Sequence, residues 1–188
     1  PWTVFAQIRL DDVGGVANET LFGIMDTAIN GDYMIAQARN NDWRCFVDGA
    51  LGTGFAERTN SLVNGTKHRV GCLFTSATSR HACQDGDCLD VSSPNSTNTG
   101  AVVGIDTTAF GARNRSTVDF FLLGDALEVC VWESALTVAN FETDYSGGAT
   151  CESLGADHIY RQPADGVDVG DDATPITLTV TDVTTVTW

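Results

Sequence analysis

The sequence has few basic residues and no long hydrophobic run, and each scarcity excludes a class of partner. Ten Lys and Arg stand against 25 Asp and Glu in 188 residues, giving a formal net charge of -15 at pH 7. Such a chain repels nucleic-acid phosphate and anionic membrane surfaces, so we expect it to bind neither. Membrane insertion is also not expected, because no apolar run approaches the ~20 residues that span a bilayer.

Recognisable catalytic motifs are also missing. Neither a Gly-x-Ser-x-Gly elbow nor a phosphate-binding Gly loop occurs. Glu128 and Glu133 fall on opposite faces of a strand, whereas a glycosidase needs its acid and nucleophile in the same cleft. The histidines His68, His81 and His158 are scattered, without a second zinc ligand at a useful spacing. The sequence therefore predicts a protein that is not an enzyme and needs no cofactor.

The start of the chain carries no basic-then-apolar leader. Pro1 is consistent with removal of an initiator Met, and a processed fragment would look the same. We expect a soluble protein made in a cytoplasm, and export remains an open alternative. A length of 188 residues suits one domain, since such a chain buries roughly 70% of its unfolded surface.

Short strand-like runs dominate what is present. Residues 2–10 alternate between an apolar face that includes Trp2 and Ile8 and a second face that includes Thr3 and Arg9, which predicts a half-buried strand. Further runs, separated by polar and Gly-rich loops, are 21–25, 33–38, 44–47, 69–74, 79–83, 88–91, 102–105, 118–123 and 127–132. The last two are the most apolar and are expected in the middle of a sheet. One short helix is predicted over 137–145, capping an end of the molecule. The pattern predicts an all-β, two-sheet antiparallel sandwich.

The six cysteines are too few for a disulfide-dense scaffold and form no Cys-x-x-Cys pair. Three lie inside apolar runs and are expected as buried thiols: Cys45, Cys72 and Cys130. Cys83 and Cys88 differ, because a two-residue turn at Asp85-Gly86 places them opposite one another across a hairpin. They bridge in an oxidising compartment and remain thiols in a reducing one, the latter being favoured.

The character of the chain changes near residue 150, which divides it into a sandwich over 1–149 and an extension over 150–188. The extension is acidic and rich in turns before a final Thr/Val run. In this run Ile176, Leu178 and Val180 share an apolar face, and the run ends at Trp188. Such a strand must pair with the parent sheet or with a neighbouring subunit. We expect it to be an interface.

Two binding hypotheses follow from residue type. Calcium prefers clustered carboxylates, and the densest cluster is Asp165, Asp168, Asp171 and Asp172, although its spacing matches no EF-hand and a solvated acidic loop is favoured. Trp43, Arg44 and Tyr33 could form a sugar-stacking surface, against which core packing is the favoured interpretation. Asn-x-Ser/Thr sequences also occur, at Asn18, Asn64, Asn95 and Asn114, and matter only in a secretory pathway.

Three segments of the sequence resemble laminin-G-like domains. The block 124–136, which contains Glu128-Val129 and Trp132 and runs into Ala135-Leu136, resembles the closing motif of that family. Residues 67–74 resemble its His-x-Val strand, with Lys67 where a Trp is usual. Gln84-Asp85-Gly86 resembles its Asp-Gly hairpin. The resemblance covers 1–149 and implies a jelly-roll of the laminin-G or concanavalin A-like kind, with Trp132 as a structural core residue.

The family resemblance implies binding of glycans, proteins or calcium and rarely catalysis. The tail, with Tyr160-Arg161 and its closing Thr-rich strand, is similar to extensions of marine bacteriophage tail, fibre and head-decoration proteins. Our first interpretation is a non-enzymatic virion component whose partners are other virion proteins or copies of itself. The alternative is a lectin-like module or secreted adhesion domain that recognises cell-surface glycans, with calcium or without it.

Overall fold

The computed structural model describes residues 1–11, 18–27, 32–59, 61–88, 97–114, 118–151, 153–154, 160–162, 176–178 and 185–186. Its strands, numbered in chain order, are β1 Trp2–Leu10, β2 Asn18–Met25, β3 Tyr33–Arg39, β4 Asp42–Gly49, β5 Gly52–Arg58, β6 Lys67–Ser76, β7 Ser79–Gln84, β8 Val102–Val103, β9 Thr107–Phe110, β10 Arg113–Asn114, β11 Val118–Asp119, β12 Gly124–Trp132, β13 Tyr160–Gln162, β14 Ile176–Leu178 and β15 Thr185–Val186. The helix is a single short π-type turn, Asn140–Tyr145. In the described part of the chain, no helix has the length and hydropathy to cross a membrane.

Two large antiparallel sheets form the sandwich, and two further pairs of strands, β10-β11 and β8-β15, lie outside them in the described part of the chain. The first has five strands in the order β13-β12-β1-β6-β7, and the second has six in the order β14-β9-β2-β3-β4-β5. Alternate residues of facing strands fill the space between the sheets, among them Ile8 and Val70 from the first and Ile24 and Met34 from the second. The predicted two-sheet jelly-roll sandwich is confirmed.

A second apolar layer covers the outer face of the five-stranded sheet. Phe5 of β1 lies 5.5 Å from Trp132 of β12, centroid to centroid. Phe141 and Tyr145 of the short helix pack on Phe5 at 5.3 and 5.1 Å. The expectation of a half-buried β1 and of a helix at the end of the sandwich was therefore wrong. Both faces of β1 are apolar near Phe5, so the helix lies on the sheet face.

The expectation of buried thiols was also wrong, because all six cysteines are bridged. Cys45–Cys72 joins β4 to β6 and so links the two sheets, with Cα atoms 5.4 Å apart. Cys130–Cys151 ties β12 to the segment after the helix. An apolar strand is a suitable environment for a free cysteine. Here the apolar strands β4 and β6 face one another across the core, which brings the sulfurs of Cys45 and Cys72 together.

The chain reverses at Asp85-Gly86, where both residues have positive φ, 49° and 90°. This is the conformation that a tight type I′ hairpin requires. Gln84 and Asp87 exchange two backbone hydrogen bonds across the turn, of 2.8 and 3.0 Å. Cys83 and Cys88 are bridged across it, which is the oxidised one of the two states left open by the sequence.

The predicted central strand over 118–123 was wrong. Only Val118 and Asp119 are extended, in the small hairpin of β10 and β11. Val118 and Leu123 are 42% and 45% exposed, and Phe120 has a φ of 54° that interrupts an extended backbone. The hydrophobicity of this run therefore does not place it in one of the two large sheets, and of the two apolar runs 118–123 and 127–132 only the second, in β12, pairs with β1.

Three short strands after residue 154 pair with the sandwich of the same chain. Tyr160–Gln162 pairs with β12, Ile176–Leu178 with β9, and Thr185–Val186 with β8. The backbone of Ile176 and Leu178 thus meets the parent sheet. Val180, Trp188 and the acidic cluster Asp165, Asp168, Asp171 and Asp172 lie outside the described residues. The interface role of the tail and the domain boundary near residue 150 stay predictions.

Gly71 of β6 leaves room for the outer aromatic layer. A Cβ there would lie 2.9 Å from ring atoms of both Phe5 and Phe141. We expect Gly71→Ala to lower the free energy of unfolding by about 1–3 kcal/mol, because two packed rings must shift. Urea unfolding followed by circular dichroism measures this. The same substitution in a Phe141→Leu background should cost less than in the wild type, and equal costs would show that crowding is not the cause.

Candidate functional site

The outer face of the six-stranded sheet carries a stack of three aromatic rings on adjacent strands. Tyr33 of β3 and Phe46 of β4 have centroids 5.4 Å apart, with ring planes 16° from parallel. Phe46 and Phe55 of β5 follow at 6.4 Å and 6°. Phe46 and Phe55 are only half-buried, whereas Tyr33 is 7% exposed. The face therefore presents an apolar ridge to solvent.

An arginine–glutamate pair lies beside this ridge. Arg44 and Glu57 are partners in the β4–β5 ladder, and the Arg44 guanidinium binds the Glu57 carboxylate through Nε and Nη2. The same guanidinium lies 4.5 Å from the centroid of the Phe55 ring. Both charged side chains are largely buried. A planar cation held on a ring and a carboxylate has a fixed orientation, which suits recognition of a planar anion.

A second arginine comes from the hairpin of β10 and β11. Arg113 donates to both carboxylate oxygens of Asp119, at 2.8 and 2.6 Å. Its guanidinium lies 3.8 Å from the Phe120 ring centroid and 6.0 Å from that of Tyr33. Burial lowers the pKa of Arg113, whereas the hydrogen bonds and the negative charge of Asp119 raise it. Together the contributions that raise the pKa are the larger, so the net shift is upward. Arg113 therefore remains a cation and connects the hairpin to the aromatic ridge.

Backbone bonding fixes the hairpin over the sheet. Thr20 of β2 donates its N–H to the Phe120 carbonyl at 2.8 Å. Thr20 and Gln37 are ladder partners, and Gln37 is in turn the partner of Arg44. The side-chain oxygens of Thr20 and Gln37 are buried and accept or donate no hydrogen bond. Buried polar atoms without partners are rare, and these two lie in the row of the sheet that continues to Arg44.

The structure separates the residues of the predicted sugar-stacking surface. Tyr33 and Arg44 lie on the outer face, but Trp43 is 1% exposed and packs in the core between the sheets. Core packing, the favoured interpretation, therefore holds for Trp43. Neighbouring residues of a strand point to opposite faces, so Trp43 and Arg44 cannot share a surface. Phe46, Phe55 and Arg113 were missed. The alternation in 43–48, with Arg44 and Phe46 on one face, could have revealed Phe46.

Two of the other candidate residues, Glu128 and His68, have structural partners. Glu128 accepts a hydrogen bond from the Cys151 N–H at 3.0 Å. His68 lies 2.6 Å from Asp85 and accepts the Val63 N–H at Nε2, so its neutral form carries its proton on Nδ1. His158 lies outside the described residues. Within the part of the chain that the structure describes, no three His, Cys, Asp or Glu side chains are grouped to hold a metal ion.

No family model matches the sequence, and no curated protein matches it. Solved structures do resemble it. The CBM40 of the Ruminococcus gnavus IT-sialidase, bound to alpha2,3 sialyllactose, is similar with a TM-score of 0.60 and 11% identity over 74% of this chain and 79% of that chain. The SAP-like pentraxin of Limulus polyphemus is similar with a TM-score of 0.58 and 13% identity over 79% and 70%.

A third similar structure is a mutant of the NanB sialidase from Streptococcus pneumoniae. It has a TM-score of 0.60 and 18% identity over 76% of this chain. The chain spans only 23% of the length of that sialidase. At these identities the three structures establish the jelly-roll fold of this chain.

Proposed function

We propose that this chain is a carbohydrate-binding module and that its ligand lies on the outer face of the six-stranded sheet. The observation that carries the proposal is the ridge of Tyr33, Phe46 and Phe55, in which Phe46 and Phe55 are half-buried, flanked by the guanidinium groups of Arg44 and Arg113. Ligand sites are mostly apolar, with a few oriented polar groups that supply specificity. Sugars offer both kinds of surface, since their C–H groups contact aromatic rings and their hydroxyls make hydrogen bonds.

The arginines favour a glycan that carries a carboxylate. A guanidinium group carries five N–H donors and binds carboxylates well. Glu57 and Asp119 bind the Nε and Nη2 groups of the two arginines and fix their orientation, so a ligand carboxylate would bind the N–H groups that these two partners do not use. The acidic glycan sialyllactose is bound by the similar module from Ruminococcus gnavus, which makes it the first ligand to test here. No step in this proposal is catalytic. The three disulfides support an extracellular location, because such bridges persist in oxidising compartments.

Replacing Arg113 tests the proposal. Titration calorimetry with sialyllactose and with lactose compares wild type and Arg113→Ala. We expect the variant to bind sialyllactose about 10-fold to 100-fold more weakly, because a hydrogen bond to a charged group contributes roughly 1.5–3 kcal/mol. Lactose has no carboxylate, so the affinities of the wild type and the variant for lactose should differ far less.

Arg9→Ala is the matched control. Arg9 also pairs with an aspartate, Asp125, but in the five-stranded sheet. This variant should bind sialyllactose as the wild type does. Unchanged binding in Arg113→Ala, with a normal thermal transition in both variants, would refute the proposed face. Repeating the wild-type titration with a chelator tests the calcium dependence that the sequence left open.

The virion interpretation stays a prediction. Its partners would be virion proteins or further copies of this chain, and none of the similar structures described above is a virion protein. Light scattering of the purified protein with and without residues 176–188 separates the two functions. A large assembly that depends on the tail supports a virion component, and a monomer that binds glycans supports the module.

A further inference from the structure

We propose that Asn64 is an acceptor for N-linked glycosylation and that it is a modification site compatible with the folded domain. This inference is independent of the glycan-binding proposal. Four Asn-x-Ser/Thr sequences occur in the chain, beginning at Asn18, Asn64, Asn95 and Asn114. The structure gives side-chain surroundings for the complete sequences at Asn18 and Asn64 only, and it places these two in opposite situations.

The sequence Asn64-Gly65-Thr66 forms the exposed tip of the loop between β5 and β6. All three residues are exposed. The Thr66 N–H donates to the Val63 carbonyl at 3.1 Å, which closes a turn, and Gly65 supplies the φ of 69° that the turn needs. A Cβ built on Gly65 meets no atom within 4 Å, so the space around the tip is open. Because Asn64 is itself exposed, a glycan attached to it would extend away from the surface.

The sequence Asn18-Glu19-Thr20 is the internal contrast. Asn18 pairs with Arg39 in the β2–β3 ladder, and its side-chain oxygen is buried. Thr20 has no exposed surface. Glycans are attached before folding is complete, and a glycan on Asn18 would have to be accommodated inside the sheet. Of the two sequences that the structure describes completely, the one at Asn64 therefore combines the acceptor motif with a surface that tolerates the product.

The disulfides provide the second, independent observation. Disulfides form in oxidising compartments, and one of these is the secretory lumen, where N-glycosylation also takes place. The three bridges of this chain are Cys45–Cys72, Cys83–Cys88 and Cys130–Cys151.

The modification joins the Asn64 side chain to an oligosaccharide. The side-chain nitrogen of Asn64 attacks the anomeric carbon of a lipid-diphosphate-linked oligosaccharide. A C–N bond forms, the C–O bond to the diphosphate breaks, and the lipid diphosphate leaves with the bonding electrons. The amide nitrogen loses one proton, and nothing is oxidised or reduced.

The test is expression of the full chain, behind a cleavable signal peptide, in a eukaryotic secretory host. Peptide mapping of the secreted protein should find the Asn64 peptide glycosylated and the Asn18 peptide unmodified. Treatment with a peptide N-glycosidase should convert Asn64 to Asp. The variant Thr66→Ala should lose the glycan from this peptide, while Thr66→Ser, which retains the acceptor motif, should keep it.

Peptide mapping reads each acceptor asparagine separately. The result for Asn64 is therefore decisive even if Asn95 or Asn114 is also modified. A folded, disulfide-bonded wild-type protein with an unmodified Asn64 peptide would overturn the proposal. So would a glycan on Asn64 that persists in Thr66→Ala. Equal thermal transitions before and after enzymatic removal of the glycan are expected, because all three residues at 64–66 are exposed.

Discussion

Trp43→Ala should lower the free energy of unfolding by about 3–5 kcal/mol, the usual cost of deleting a buried tryptophan ring. Trp43 is 1% exposed and lies between the sheets. Its indole Nε1–H donates to the Gly71 carbonyl at 2.9 Å, a bond that connects β4 of one sheet to β6 of the other. The substitution therefore leaves a cavity and removes the hydrogen bond to the Gly71 carbonyl. Urea unfolding monitored by far-UV circular dichroism measures the loss.

Trp43→Phe separates the two contributions. Phenylalanine retains most of the ring but removes the donor, so we expect a loss of about 1–3 kcal/mol from the missing hydrogen bond and the smaller ring. Alanine must then be clearly more destabilising than phenylalanine. If the two variants are equally stable, or if either matches the wild type, the indole is not the inter-sheet link that its position indicates.

Removing the inter-sheet disulfide should have an effect of similar size. The double variant Cys45→Ala/Cys72→Ala opens a loop with a sequence separation of 27. The chain-entropy relation assigns such a loop roughly 3.5 kcal/mol at 25 °C. Chemical unfolding of the oxidised wild type and of the double variant, under identical buffer conditions, measures the difference.

Cys83→Ala/Cys88→Ala is the matched control, because its bridge closes a separation of only 5 in a hairpin that is already a tight turn. The same relation assigns it roughly 2 kcal/mol. The order of the two losses is the essential result. A larger loss for the hairpin bridge would contradict the entropic argument. Combining the Cys45/Cys72 and Trp43 changes should give a non-additive loss, since both remove links between β4 and β6.

The alternation of apolar and polar residues along short runs of the sequence was sufficient to predict the fold class and most strands. The pattern of β1 placed Trp2 and Ile8 in the core, where they lie. It failed for Phe5, because alternation describes one sheet and does not show that a helix will cover its second face. The run 118–123 failed for the opposite reason. Its hydrophobicity indicated a strand, but Phe120 contacts Arg113 in a surface hairpin instead.

Long-range contacts explain what the sequence could not reveal about the candidate site. Tyr33 and Arg44 were singled out, but the ridge depends on Phe46 and Phe55, which meet only through the β4–β5 register. Arg113 joins it from a hairpin that is distant in sequence from β3. The Cys45–Cys72 bridge likewise depends on which strands of the two sheets face one another. Such pairings follow from topology, which single-sequence patterns do not encode.

The central position of β1 also determines how the domain resists a mechanical load. β1 is antiparallel to both of its neighbours, β12 and β6, and is bonded to each along nearly its whole length. Tension applied at residue 1 along the strand direction loads both ladders in shear. The hydrogen bonds must then yield together, whereas an edge strand pulled sideways releases them one after another. The central position of this strand thus makes the domain resistant to a force applied along β1.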